Sequence, residues 1–118
     1  MRSTSTVTAA LLLLLGIGAA EAAEPTQLAE TGAFLLGNAY RCGVSAERVS
    51  QAAKVIRDLI AAASTDASDE KAATSRFADV FVTNAYPKQG HPSLIPPCKV
   101  VITQFERLEQ HHQQAGLN

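Results

Sequence analysis

Two cysteines, Cys42 and Cys98, constrain this chain more than any other feature, because it has only two. In an oxidising compartment each has no partner but the other, and a bond between them joins two points far apart in sequence. Closing a loop from residue 42 to residue 98 is worth about 4 kcal/mol in chain entropy, comparable with the stability of a small domain. The spacing fits neither the C-x-x-C redox motif nor the haem-attachment motif C-x-x-C-H. A structural bridge is therefore expected.

The N-terminus points to the compartment that would form it. Arg2 supplies a minimal basic region, Val7 to Ala20 is a short apolar run, and Ala20-Glu21-Ala22 fits the A-x-A cleavage pattern. Residues 1–22 are read as a cleaved signal peptide. The competing reading is an uncleaved anchor. However, an apolar helix of about 14 residues is about 20 Å long, short of a hydrocarbon core of about 30 Å. No cysteine lies near the cleavage site to carry a lipid, so no stable membrane anchor is expected after processing. The expected location is the periplasm or the exterior.

Residues 23–118 then form a single helical domain, small enough to need the bridge. The net charge of −1 argues against nucleic acid or an anionic membrane as the main partner.

The periodicity is helical throughout. Leu28, Gly32, Leu35, Ala39 and Cys42 recur at steps of four and three, and Ala29, Ala33, Phe34, Leu36 and Tyr40 widen that face. A helix apolar on so many sides belongs at the centre of a bundle. Thr26 is its expected N-cap, and Gly43 its left-handed stop with Val44 folding back. Ser45 caps a second helix over Ala46 to about Ala63, with Val44 and Val49 as a hydrophobic staple. Its stripe is Val49, Ala52, Ala53, Ile56, Leu59, Ile60 and Ala63, while Arg48, Lys54, Arg57 and Asp58 face out.

Ser68 is the expected N-cap of a third helix, with Ala73, Phe77, Val80, Phe81 and Asn84 on one face. Val80-Phe81-Val82-Thr83 has strand propensity, but the helical spacing before it favours helix. Residues 86–97 form a proline-stiffened loop in which Leu94 and Ile95 tuck back. Pro97 suits the first position of a fourth helix, which puts Cys98 in its first turn. Cys98, Val101, Ile102, Phe105, Leu108 and His112 share a face there, and Gly116 is the expected stop. Cys42 ends the first helix, and Cys98 starts the fourth. Short connections and the bridge agree on an all-α fold, a small up-down-up-down four-helix bundle.

Chemistry is sparse. His111 and His112, with Cys98 or His91, suggest a metal site only superficially. Adjacent histidines on a helix point about 100° apart, and Cys98 is expected to be oxidised. Ser45, Ser64, Ser68 and Ser93 are explained by caps and turns. Glu106 and Glu109 read as a solvated pair, and no G-x-S-x-G, H-E-x-x-H or phosphate loop occurs. No enzyme activity, metal or cofactor is expected.

The bridge end is more suggestive. Asn-Ala-Tyr occurs twice, as Asn38-Ala39-Tyr40 and Asn84-Ala85-Tyr86. Chance or an old hairpin duplication would explain the repeat. The alternative is a contact surface of Tyr40, Arg41, Tyr86, Lys88 and His91, since Tyr and Arg anchor interfaces.

In outline the chain resembles the small acid-stress chaperones of the HdeA type: exported, under a hundred mature residues, helical, with one long-range disulfide. That resemblance implies a dimer that opens in acid to shield unfolded clients. The acidic residues of the mature chain would lose their charge together there. The leading expectation is a non-enzymatic helical protein acting by protein contact, as accessory, inhibitor or subunit of a cell-envelope system. Its partner would be an envelope protein or a second copy of the chain. The chaperone comes second, and an enzyme or metal carrier last.

Overall fold

The computed structural model of the chain describes residues 24–87 and 95–117. The expected signal segment 1–22, together with Lys88, His91 and Leu94, lies outside the described residues. Within them are four helices and no strand: α1 (Pro25–Arg41), α2 (Ala46–Ala63), α3 (Ala67–Ala85) and α4 (Cys98–Leu117). Val80 to Thr83, the stretch with strand propensity, is helical; the apolar face it extends outweighs its local preference.

The caps set the boundaries. Pro25, not a residue after Thr26, opens α1, and Glu24 in the cap position makes no side-chain bond. A proline with φ preset for the first helical turn displaces the weaker threonine cap. At the other end Gly43 takes φ +100°. Its N–H reaches the Tyr40 carbonyl at 3.1 Å, and the Val44 N–H reaches that of Ala39 at 3.0 Å. This pair of bonds satisfies carbonyls that the helix end would leave open. Val44 and Val49 are both buried, as the staple requires, and Ser45 Oγ accepts from the Arg48 N–H at 3.2 Å.

Asp66, not Ser68, caps α3, accepting from the Asp69 N–H at 2.9 Å. Asp69 in turn takes bonds from the Thr65 N–H and hydroxyl. The two carboxylates thus satisfy donors on both sides of the turn, which Ser68 two residues later does not. Asp66→Ala is expected to cost about 1 kcal/mol, read as a lowered urea midpoint at unchanged slope. Ser68→Ala is expected to change it by no more than a few tenths. Gly116 does not stop α4, which continues through Leu117.

Helix α1 is central. It packs on α2, α3 and α4 in turn, while α3 and α4 share no contact among the described residues. Leu28, Ala29, Ala33, Leu35, Leu36 and Ala39 are buried on it, joined by Val49, Ala52, Ile56 and Ile60 of α2 and Val101, Phe105 and Leu108 of α4. Two expected core positions are not core. Phe34 is 43% exposed. His112 is exposed, beside a depression of about 60 Å³ that it shares with Arg48, Ala52 and Leu108. Arg48 is exposed, as expected, and lies over the Phe105 ring at 5.4 Å while it grips both oxygens of Glu109 at 3.0 and 2.6 Å.

Helices α1 and α3 run parallel, in a constant register. Glu30 pairs with Arg76 at 2.7 Å, and Asn38 meets Asn84, each pair 46 residues apart. They also run very close: a Cβ on Gly37 would stand 2.7 Å from the Phe81 carbonyl oxygen and 2.8 Å from Asn84 Cβ.

Candidate partner-binding surface

The Cys42–Cys98 bond forms as expected, with a Cα–Cα distance of 5.5 Å. It joins the end of α1 to the start of α4, and of the candidate residues Tyr40, Arg41 and Tyr86 lie at this end.

The repeated tripeptide occupies matching positions on the two parallel helices. Asn38 is 1% exposed, yet every polar atom of its side chain is used. Its Nδ2 donates to the Phe34 carbonyl at 2.9 Å and to Asn84 Oδ1 at 3.1 Å, and its Oδ1 accepts from Arg41 Nε at 3.1 Å. Asn84 Nδ2 repeats the first of these, donating to the Val80 carbonyl at 2.8 Å. Ala39 and Ala85 are buried, small enough to let the helices approach. A polar group in such a place is tolerated only when satisfied. The Asn and Ala of each copy therefore serve the seam and leave the tyrosines outside it.

Those tyrosines meet. The Tyr40 and Tyr86 rings stand edge to face with centroids 6.0 Å apart, and Tyr40 also touches Phe81 at 6.3 Å. Phe81 stacks on Phe77 at 6.4 Å, so an aromatic row runs down α3 from the bridge end. Tyr40 is half-buried, whereas Tyr86 is 61% exposed. Val82, one turn earlier on α3, is 55% exposed and widens the apolar surface.

Arg41 is placed differently from a free surface cation. Its Nη2 donates to the Pro96 carbonyl at 3.0 Å and its Nη1 stands 3.7 Å from Cys98 Sγ. With Nε on Asn38, the guanidinium ties α1 to the segment entering α4. Ile95, expected to tuck back, is 36% exposed just before that tie; Pro96, held by Arg41, takes the inward place. Sequence reasoning missed Gly37 and Asn38, for apolar periodicity has no way to flag a glycine or a satisfied amide as core. The recurrence of Asn-Ala-Tyr was the only signal.

The Tyr86 phenol is raised above its ordinary value by hydrogen bonding with Tyr40, by repulsion between the two phenolates and by partial desolvation. The fold therefore favours the neutral phenol. That contribution is fully present below a pH of about 10 and is lost as pH rises through the raised value. The chain has two tyrosines and no tryptophan, so tyrosinate absorbance reports this pair alone. Tyr86 is expected to ionise above the ordinary range, and Tyr40→Phe to bring it back. An unchanged titration in Tyr40→Phe would show that the rings do not sense each other.

Among the described residues no three His, Cys, Asp or Glu side chains converge as a metal site, and no helix is long and apolar enough to cross a membrane. Comparison of the chain with protein-family models, curated proteins and solved structures yields no match.

Proposed function

We propose that the protein is an exported helical module without catalysis of its own, which acts by docking a protein partner of the cell envelope against the tyrosine pair. One observation carries this reading. Tyr86 is the most exposed large apolar side chain among the described residues, and it sits at the end of the bundle that the disulfide ties. A tyrosine offers much contact area at little entropic cost, and more so when a neighbouring ring already restricts it. Val82 extends the same surface. The bridge, the Arg41 tie and the Asn38–Asn84 bond all lie within reach of it. Preorganisation of this kind favours recognition of one partner over adaptable contact with many.

The oxidised protein is used to capture its partner from an envelope fraction, and the affinity of the purified pair is then measured by calorimetry. Tyr86→Ala is expected to weaken binding by about 30-fold or more, the scale of an interface hot spot, with the circular dichroism unchanged. Lys71→Ala, on exposed α3 surface nearer its start, is expected to leave affinity unaltered. Equal affinities for the native protein and Tyr86→Ala would remove this surface from the account. Suppression of aggregation of many unrelated proteins, seen only in acid, would replace the reading with a chaperone.

A further inference from the structure

The two sulfurs of the bridge stand in opposite electrostatic settings. Cys42 lies just past the C-terminus of α1, at the negative end of that helix's dipole, with its N–H on the Asn38 carbonyl. Cys98 opens α4, at the positive end, and the first turn of α4 holds no acidic residue. Arg41 adds a full charge on the same side, with Nη1 3.7 Å from Cys98 Sγ. Its orientation is fixed by the Pro96 carbonyl and Asn38 Oδ1. Among the described residues the ion pairs are Arg48–Glu109 and Arg76–Glu30, so no carboxylate there neutralises Arg41. A thiolate is favoured at Cys98 and disfavoured at Cys42.

From this asymmetry we infer that Cys42 is a site of covalent modification by small thiols of the glutathione class. The thiolate of the small molecule attacks Cys42 Sγ, and a new S–S bond forms there as the bond to Cys98 breaks. The electron pair of the broken bond departs on Cys98 Sγ, where Arg41 and the α4 N-terminus hold it. One disulfide is consumed and one is made, so the step needs no other oxidant or reductant. Attack at Cys98 instead would leave the charge on Cys42, at the wrong end of α1. The sulfur with the lower thiol pKa leaves faster, which selects the first direction. Both cysteines are half-buried at the end of the bundle, not sealed in its core. This inference is independent of the partner proposed above, since it concerns only the bond and its neighbours.

The oxidised full chain is treated with reduced glutathione under native conditions and quenched in acid after a small fraction has reacted. Free thiols are alkylated, and the adduct is located by peptide mass mapping. The adduct is expected on Cys42 in clear excess over Cys98, because the sulfur whose thiolate is better held leaves faster. In denaturant, where neither helix exists, the ratio is expected near one to one. Arg41→Gln, its fold checked by thermal melting with the bridge intact, is expected to move the native ratio towards the even split of the denatured chain. Arg41→Lys is expected to restore most of it. An even split in the native protein, or an adduct mainly on Cys98, overturns the inference. So does a native protein that forms no adduct where the denatured chain does. The native-against-denatured comparison needs no variant, and an unchanged ratio in folded Arg41→Gln overturns the part assigned to Arg41.

Discussion

Removing the Cys42–Cys98 bond, by a strong reductant or as Cys42→Ala with Cys98→Ala, is expected to lower the unfolding free energy by about 4 kcal/mol. The bond closes residues 42–98 into one loop, and the entropy withdrawn from the unfolded state grows with the length enclosed. The cost is a large share of what a domain of this size has to lose, since small domains are held by about 5 to 15 kcal/mol. Its native geometry also matters, because the bond anchors the start of α4 against the end of α1. Without it Arg41 is the main tie left between α1 and the segment entering α4. Urea unfolding followed by circular dichroism, oxidised against reduced, is the measurement. A loss below about 1 kcal/mol would mean that the reduced unfolded chain is already compact or that helical packing alone brings the two ends together.

Gly37→Ala is expected to destabilise by a net of about 1 to 2 kcal/mol, against the trend of its helix propensity. Alanine in the middle of a helix is ordinarily favoured over glycine by about 1 kcal/mol. Here the added methyl would stand 2.7 Å from the Phe81 carbonyl oxygen and 2.8 Å from Asn84 Cβ. Neither atom is the tip of a flexible side chain. The helices must separate, and with them the Asn38–Asn84 bond and the contact of the tyrosine rings. Overpacking of this kind costs about 1 to 3 kcal/mol. Gly32→Ala is the comparison: the three atoms nearest its new methyl all belong to the Ile56 side chain, at 2.8 to 3.1 Å. Ile56 is buried and restricted at χ1, so a loss is expected here too, smaller because no backbone atom stands in the way. Stability equal to the native protein in Gly37→Ala would mean that the α1–α3 approach is looser than these distances.

The all-α class, the bridge and all four helix starts to within two residues were legible in the sequence. The reasons are local: apolar positions at steps of three and four, a serine cap after a glycine stop, a proline before Cys98. What was not legible is which helices are neighbours. Periodicity shows that α1 is apolar on most sides, but not that its closest companion is α3 and not α2. That choice rests on Gly37, Ala39 and Ala85, whose contribution is the absence of bulk. The candidate surface was legible in part. The repeated tripeptide marked the right end of the bundle, while the roles within it divide: the asparagines and alanines hold the seam, Arg41 holds the loop, and the tyrosines remain. Composition alone carries no hint of that division, because a satisfied buried asparagine and a solvated one read alike.

The parallel pairing of α1 with α3 also fixes an order of events. In a bundle of sequential hairpins each helix meets its main partner as soon as the next one is made. Here the most apolar helix is synthesised first, and its most extensive contact waits until the chain has been made through Ala85. Helix α2 covers one side meanwhile, but the face around Gly37 stays open across the whole interval. Contacts so distant in sequence slow folding relative to other helical proteins of similar size. An α1–α2 hairpin without α3 would therefore leave the face of α1 around Gly37 uncovered.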